Sequence, residues 1–565
     1  MFYFNTYTMK NITYIIAGTL LILIAACSSL DQYPLNGPSS DTYLTNESEL
    51  KEALYEIYDA NSYEGPNSTR MAHNIVLDAL SDIGFERNSS GIPAFVLGNA
   101  NPNNTYSRDM WKSAYVVISR CNYLLTNMHR AENNVNPKTY GEIAAQARVV
   151  RAYTYITLTE LWGDVPLVTT MINLSESIMP RTPKSEVCDF ILKELDEAAA
   201  VLPDDYAGTG QVSASTALAL KARAALYNKR WDVAIQAAKA VMDMGVHELH
   251  NDFAELFMYA GAGSKEILWS FQYLKSAKKV HGTCRNFGSR NGQGHSNKVP
   301  SQSLVDAYQC TDGKDIDKSS LYDPKKPFEN RDPRMAYTLA LPGSIFMGYQ
   351  FETHKDSVNC WNYRGATPTR VKNEDATNAY ATFTGYCWRK YVDPLDYANP
   401  VDSELNQIAI RYAEVLLIYA EAKIEANQID ESVSAAINEV RQRPTVNMPA
   451  LPSGLNQSQL RSAVRKERLY EFAGEGLRLF DIRRWRIAEY AINGPFYGRV
   501  PKGYLQSAPQ IDENGIPDYS NVPNKDEMRV VEVRKFVKED DRDYLWPIPE
   551  REMSANPALV QNPGF

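Results

Sequence analysis

The sequence predicts a mainly α-helical protein whose paired helices carry a loop-rich, partly β face. Three observations lead there. Long stretches in the first half, and again after residue 411, repeat apolar residues at three- and four-residue spacing, the period of a helix that buries one side. Two of these stretches look like one helix–turn–helix device used twice. Between them, residues 271–405 lose the helical period and are rich in Gly, Asn, Ser, Pro and Tyr.

Ser107 to Met128 places Trp111, Tyr115, Ile118, Tyr123 and Leu125 near one helical face. Tyr140 to Leu161 continues with Ala144, Ala147, Val150, Ala152, Tyr155 and Leu158. Gly163 suits a C-terminal cap there, and Pro166 prevents the helix from resuming. Lys184 to Leu202 is a third helix, stopped by Pro203. The repeated device spans Ser215 to Met242, turning at Asn228–Trp231, and Arg411 to Arg441, turning at Asn427–Ile429. Aligned on Asp232 and Asp430, the second helices share apolar Ile235/Val433 and small Ala237/Ala435 and Ala238/Ala436. Both aspartates suit an N-cap. Small residues at facing positions let helices approach closely, as in tetratricopeptide-type arrays. Within 271–405 only Ser301 to Tyr308 reads as helix, and short aromatic runs suggest strands. Loops this long usually carry function. A second irregular stretch runs from Tyr497 to Arg542.

With 565 residues, 59 Lys plus Arg and 68 Asp plus Glu, the chain has a net charge of −9. That balance argues against nucleic acid as a partner, which requires a basic footprint. The 35 tyrosines stand out beside 18 Phe and 8 Trp. Tyrosine packs one face while its hydroxyl stays wet, which suits a surface that grips a flat polar ligand. At the N-terminus an uncharged run, Ile12 to Ala26, follows Lys10 and ends at Cys27. It is too short for a comfortable membrane span and has the layout of a secretory signal. Ile24-Ala25-Ala26-Cys27 resembles a bacterial lipobox, so Cys27 is expected to be the lipidated N-terminus after cleavage. Of the other six cysteines, Cys121 and Cys188 fall on helices and read as buried thiols. Cys360–Cys387 is the disulfide pairing to test first.

Catalytic signatures are missing: there is no GxxxxGK[ST], GxSxG or HExxH. His247 and His250 read as an exposed helix end rather than a metal pair. Asp312, Asp315 and Asp317 alternate in a loop, a weak Ca²⁺ hint without the Gly and Glu of an EF-hand, so a solvated loop is preferred and no cofactor is expected. The charge-dense stretch Arg461 to Arg486 sets Glu467, Glu471 and Glu475 four apart among arginines. A general acid needs a raised pKa, whereas neighbouring guanidinium groups lower it, so this stretch reads as a structural brace. Gly474 and Gly476 mark a helix break or a close approach.

This stretch strongly resembles the Arg-rich helix of SusD/RagB-type outer-membrane nutrient-binding lipoproteins. Further pieces of that family's pattern follow in order: Trp111, Tyr115 and Asn122; Arg148, Arg151 and Leu161-Trp162-Gly163-Asp164-Val165-Pro166-Leu167; Arg331-Asp332-Pro333-Arg334; Ile410-Arg411-Tyr412-Ala413-Glu414 with Ala420-Glu421-Ala422; and Trp546-Pro547-Ile548-Pro549 with Gln561-Asn562-Pro563-Gly564-Phe565. Trp162 stands where Tyr or Phe is common, and Phe565 where Tyr is. The resemblance implies a SusD-like α-α superhelix of four tetratricopeptide-like helix pairs. It also implies a non-catalytic surface lipoprotein of the outer membrane that binds a nutrient, usually a glycan, and caps a SusC-like TonB-dependent transporter. Expected boundaries are a signal peptide at 1–26, a tether at 27–46, a helical region at 47–270, a ligand-face region at 271–405 and a closing helical region at 406–565.

A sugar ring offers an apolar face of C–H bonds and a rim of hydroxyls, so recognition pairs aromatic plates with short polar groups. The loop-rich stretch supplies Phe287, Tyr349, Trp361, Tyr363 and Trp388 as plates and Arg285 and Arg290 as donors, and the turn Gly98 to Asn104 adds Asn99 and Asn101. Two alternatives stand beside this reading. A surface glycosidase would use Asp78, Asp82 and Glu86, and a peptide could take the place of the glycan.

Overall fold

The computed structural model describes residues 43–60, 71–87, 91–206 and 208–565; the signal segment, Cys27 and most of the tether lie outside these. Eight helices build the scaffold: α1 (Glu47–Ala60), α2 (Thr105–Asn127), α3 (Pro137–Trp162), α4 (Lys184–Ala199), α5 (Ala214–Tyr227), α6 (Trp231–Met244), α7 (Tyr412–Glu425) and α8 (Glu431–Arg441). Each packs on the next, and α1, α3, α5 and α7 also touch in series. The result is four helix pairs whose first members form an inner row. That position explains their composition. An inner-row helix enclosed by neighbours is apolar nearly all round: α5 is rich in Ala and Leu, and every α7 residue from Tyr412 to Ile424 is buried, whereas α1 at the end of the row buries only Leu50, Leu54 and Ile57 among its described residues. The outer helices α6 and α8 keep a polar side.

The repeated device is real down to its hydrogen bonds. After α5 the Lys229 N–H donates to Leu226 O and Arg230 N–H to Ala225 O; after α7 Asn427 N–H donates to Ile424 O and Gln428 N–H to Lys423 O. Lys229 and Asn427 both adopt φ +57°. This is the Schellman ending, in which one left-handed residue satisfies the last carbonyls. The two copies differ one step later. Asp430 caps α8 by accepting from Ser432 N–H, as expected. Asp232 does not cap α6, because the helix already starts at Trp231; its carboxylate instead accepts from Gln428 Nε2 at 2.8 Å and ties the two turns together.

Strands are short. β1 (Gly84–Glu86) pairs with β3 (Lys298–Pro300), and β2 (Ile267–Phe271) pairs with β10 (Gln407–Arg411), which feeds α7. Similarly β4 (Leu339–Ala340) pairs with β9 (Cys387–Trp388). An antiparallel sheet of four strands follows the order β5 (Ile345–Phe346), β6 (Tyr349–Gln350), β7 (Asn359–Asn362), β8 (Thr369–Lys372). Cys360 faces Val371 in that sheet while Cys387 faces Ala340 in another, and all six described cysteines are free and buried, so the suggested disulfide is not formed. His247 is not an exposed helix end either: it is buried, with its ring nitrogens 2.8 Å from Lys265 O and 2.7 Å from Ser215 Oγ.

Helix α9 (Gln457–Phe472) lies against α7 and α8 and carries the brace. Glu471 accepts from Arg334, Arg411 and Arg443 at 2.9, 2.7 and 2.7 Å. Glu467 accepts from Arg334 and Arg441, and Glu475 from Arg411 and Lys390. Burial opposes ionisation of Glu471, yet the charges of Arg443, Arg411 and Arg334 outweigh it and hold its carboxyl far below the usual range. Such a group cannot serve as a general acid. Gly476 explains why no side chain follows Glu475: at φ +80°, a Cβ would sit 1.5 Å from Asn74 O.

The C-terminal segment closes the body over the end of α3. Trp162 donates from Nε1 to Pro547 O at 3.1 Å and meets Trp546 edge-on at 5.1 Å, while Asn562 Nδ2 donates to Trp162 O and Trp546 O. Gly163, at φ +76°, ends α3.

Candidate functional site

The sheet β5–β8 and the segment Thr283–Asn297 form the face on which the expected site residues are to be sought. In a strand alternate residues share a side. Along β7 Cys360 is buried while Trp361 turns outward, and Tyr363 follows just past the strand's end; both residues are 38% exposed. Tyr363 N–H donates to Gly348 O at 2.8 Å, which holds the strand's end to the β5–β6 turn. Arg370, directly across on β8, lays its guanidinium 5.0 Å from the Trp361 ring centre. Tyr349, half-buried on β6, carries Arg364 at 5.0 Å. Arg364 also reaches the Tyr397 ring at 5.7 Å. Cation–π contacts of this kind help to hold a ring's orientation.

Two expected plates are not plates. Phe287 and Trp388 are only 1% and 3% exposed. Their rings face each other at 6.2 Å, and Trp388 is fixed opposite Leu339 in the β4–β9 ladder, against the Gly474 backbone. Neither offers a face to a ligand. Both belong to the main hydrophobic core.

Arg285 and Arg290 lie at the surface beside this sheet. Asn291 Nδ2 donates to Lys372 O on β8 at 2.9 Å, and Gly288 and Gly292 press on Met347, whose carbonyl accepts from Arg364. Asn99 and Asn101 are exposed but belong elsewhere. Asn101 Nδ2 donates to Asn99 O, and the turn they form is held by the C-terminal segment, with Leu97 bridged to Lys535 and the Gly98 and Ala100 carbonyls accepting from Arg542. Among the described residues no hydrogen bond or ring contact joins that turn to Trp361 or Tyr363.

Sequence reasoning missed several members of the face: Arg364, Arg370, Arg389, Tyr380 and Tyr397. The signal was present in the run Tyr363-Arg364-Gly365-Ala366-Thr367-Pro368-Thr369-Arg370, which has two arginines and no acid.

The carboxylates required by a glycosidase are engaged in the scaffold. Asp82 forms a two-pronged pair with Arg478 at 2.9 and 2.7 Å, and Glu86 pairs with Lys298 at 3.2 Å. Asp78 is buried, which pushes its pKa up to about 7, and one oxygen accepts from Gly474 and Gly476 N–H. In the acidic loop Asp315 is buried and bound to Lys318 and Lys466, each at 2.8 Å. Among the described residues no group of three or more His, Cys, Asp or Glu is placed to hold a metal ion. A hollow of about 330 Å³ lined by Tyr55, Tyr58, Trp269, Phe271 and Gln272 shares no residue with the aromatic face.

Comparison with known proteins decides the family. The SusD family model matches residues 265–565, and a second model, described as starch-binding associating with outer membrane, matches residues 30–226. The chain belongs to the SusD family. SusD-like protein P2 of Formosa agariphila is 26% identical over an alignment covering 98% of this chain and 99% of that one. A SusD-like carbohydrate binding protein from Bacteroides fragilis superposes with a TM-score of 0.78 at 27% identity, covering 92% of this chain and all of that one. Surface glycan-binding protein A from Bacteroides uniformis, at 20% identity and a TM-score of 0.65 over 92% of this chain and 99% of that one, shares the fold. Among the described residues no helix is long and apolar enough to cross a membrane.

Proposed function

We propose that this protein is a non-catalytic, surface-exposed lipoprotein of the outer membrane that binds an oligo- or polysaccharide and delivers it to a SusC-like TonB-dependent transporter. The observation that carries this reading is the pair of exposed aromatic residues, Trp361 on the open sheet and Tyr363 just past its strand's end. A sugar's apolar face stacks on such rings, and the amides and guanidinium groups beside them take its hydroxyls. Membership of the SusD family and the carbohydrate-binding relative from Bacteroides fragilis support it. The description of the second family model supports the outer-membrane location. Anchoring falls to Cys27, whose acyl chains hold one end at the membrane while the body swings over the transporter mouth. Ligand shared between the two surfaces then favours closure, a population shift driven by differential contact.

The test is a calorimetric screen of glycans and peptides against the purified protein. The expected result is binding to a glycan that weakens at least about tenfold in Trp361→Ala, as loss of a stacked ring in a hot spot predicts. Reducing ends accumulating over time would instead make it a hydrolase, and binding of peptides alone would replace the ligand class. Cys27→Ala should lose surface anchoring and leave soluble binding intact.

A further inference from the structure

Beside the aromatic sheet, several arginines cluster without side-chain ion pairs among the described residues. Arg285 donates from Nε to His295 Nε2 at 2.8 Å, so this histidine is held as a neutral acceptor. Arg87 donates to His295 O at 3.1 Å and to Tyr380 O, and its guanidinium lies 5.4 Å from the Tyr380 ring centre. Arg290 reaches the same ring at 6.0 Å and donates to Gly294 O at 3.2 Å, while its buried Nε has no partner. Tyr380 itself is 62% exposed. Among the described residues none of these three arginines forms an ion pair. Two carboxylates lie within electrostatic reach of Arg290 and are engaged elsewhere: Glu374 pairs with Lys372 at 2.7 Å, and Asp375 is buried and accepts from the Arg290 backbone N–H.

Three like charges around one histidine repel one another. Burial, and then the Arg290 charge, pull Arg87 below its ordinary pKa; burial, and then Arg285, Arg290 and Arg87, push His295 down to about 4. An arrangement of this kind gains stability when an anion enters it, because charge-assisted bonds to a planar fork are short and strong. A chain with net charge −9 has acids to spare, yet among the described residues none forms a side-chain ion pair with these three arginines.

We propose that the ligand is an anionic glycan, and that Arg87, Arg285 and Arg290 hold its carboxylate or sulfate group beside Tyr380 while the adjoining Trp361 and Tyr363 stack its rings. This rests on the glycan reading above and adds the substrate class. The neutral backbone of the polymer is bound by the sheet, and the charged substituent selects which polymer is accepted.

The test is an array of matched polymers, each with and without its charge: polygalacturonate and other uronate polymers against their methyl esters, and sulfated galactans against their desulfated forms. The proposal expects at least one charged member to bind about tenfold or more tightly than its neutral partner, with an affinity that falls as salt is added. A preference among the uronates assigns a carboxylate, and a preference among the galactans assigns a sulfate ester. Arg285→Gln and Arg290→Gln should each remove most of the preference without moving the melting temperature, and Arg285→Lys should retain part of it. Equal binding of charged and neutral partners, still dependent on Trp361, overturns this proposal and leaves the glycan reading standing. No binding to any member overturns this proposal, and the glycan reading then stands or falls with the wider screen of glycans and peptides.

Discussion

Arginine behaves in opposite ways in the two regions of this molecule. In the helical scaffold the guanidinium groups are matched: Arg223 is forked to Glu414 at 2.7 Å between α5 and α7, Arg468 to Asp481 at 2.8 and 2.9 Å, and three arginines converge on Glu471. These groups are buried, and burial makes pairing compulsory, because an unmatched charge in a low-dielectric interior costs several kcal/mol. On the loop-rich face Arg87, Arg285, Arg290, Arg364, Arg370 and Arg389 make no ion pair among the described residues. They rest on rings or donate to carbonyls, hydroxyls and a histidine. Matched arginines fix a shape; unmatched ones at a surface keep their donors for something that arrives.

Removing a charge from the scaffold should therefore cost most. Glu471→Gln leaves Arg334, Arg411 and Arg443 short of a carboxylate, and chemical unfolding should show a loss of about 3–5 kcal/mol, or no folded protein at all. If stability were unchanged, the brace would be ornamental and the contrast would fail.

Acid titration should reveal a further weakness at the junction of the two regions. His281 is buried, accepts Thr283 N–H at Nδ1 and donates from Nε2 to Leu405 O at 2.7 Å, a neutral tautomer whose pKa burial lowers to about 4. Because the folded value lies below the ordinary one of about 6.5, this stability is complete above that pH and is lost as pH falls toward 4, by about 3 kcal/mol. His281→Gln should flatten this part of the pH profile in equilibrium unfolding, and a profile identical to the wild type would remove His281 from the account.

On the face itself the expected changes in stability are small. Arg364→Gln and Arg370→Gln should shift the unfolding free energy by less than about 1 kcal/mol, since exposed cation–π contacts are weak. A loss on the scale of Glu471→Gln would mean that these arginines hold the sheet together after all.

Much of the scaffold was legible before the structure, because helices announce themselves locally. The period of α2 and α3, the stop at Gly163 and the twin turns at Lys229 and Asn427 depend on neighbours a few residues apart. The brace was legible for the same reason: Glu467 and Glu471 alternate with arginines on one helix, and Glu475 follows in the turn just past its end. Asp232 misled by two positions, since nothing local shows that Arg230 stands at the N-cap and α6 begins at Trp231. On the loop face the opposite holds. Trp361 and Trp388 both sit in short aromatic runs, and only the distant partner strands separate them: β8 leaves Trp361 at the surface, whereas β4 and the Gly474 turn enclose Trp388. Arg87 lies about two hundred residues before its neighbours Arg285 and Arg290, so no spacing rule could have joined them.

The most direct measurement is hydrogen–deuterium exchange of the full chain with and without the glycan that the screen selects. Protection confined to the segments around 285–297 and 345–380 is the predicted result. Protection along α5 and α6 instead, with those segments unchanged, would contradict the assignment of ligand binding to the aromatic and arginine face.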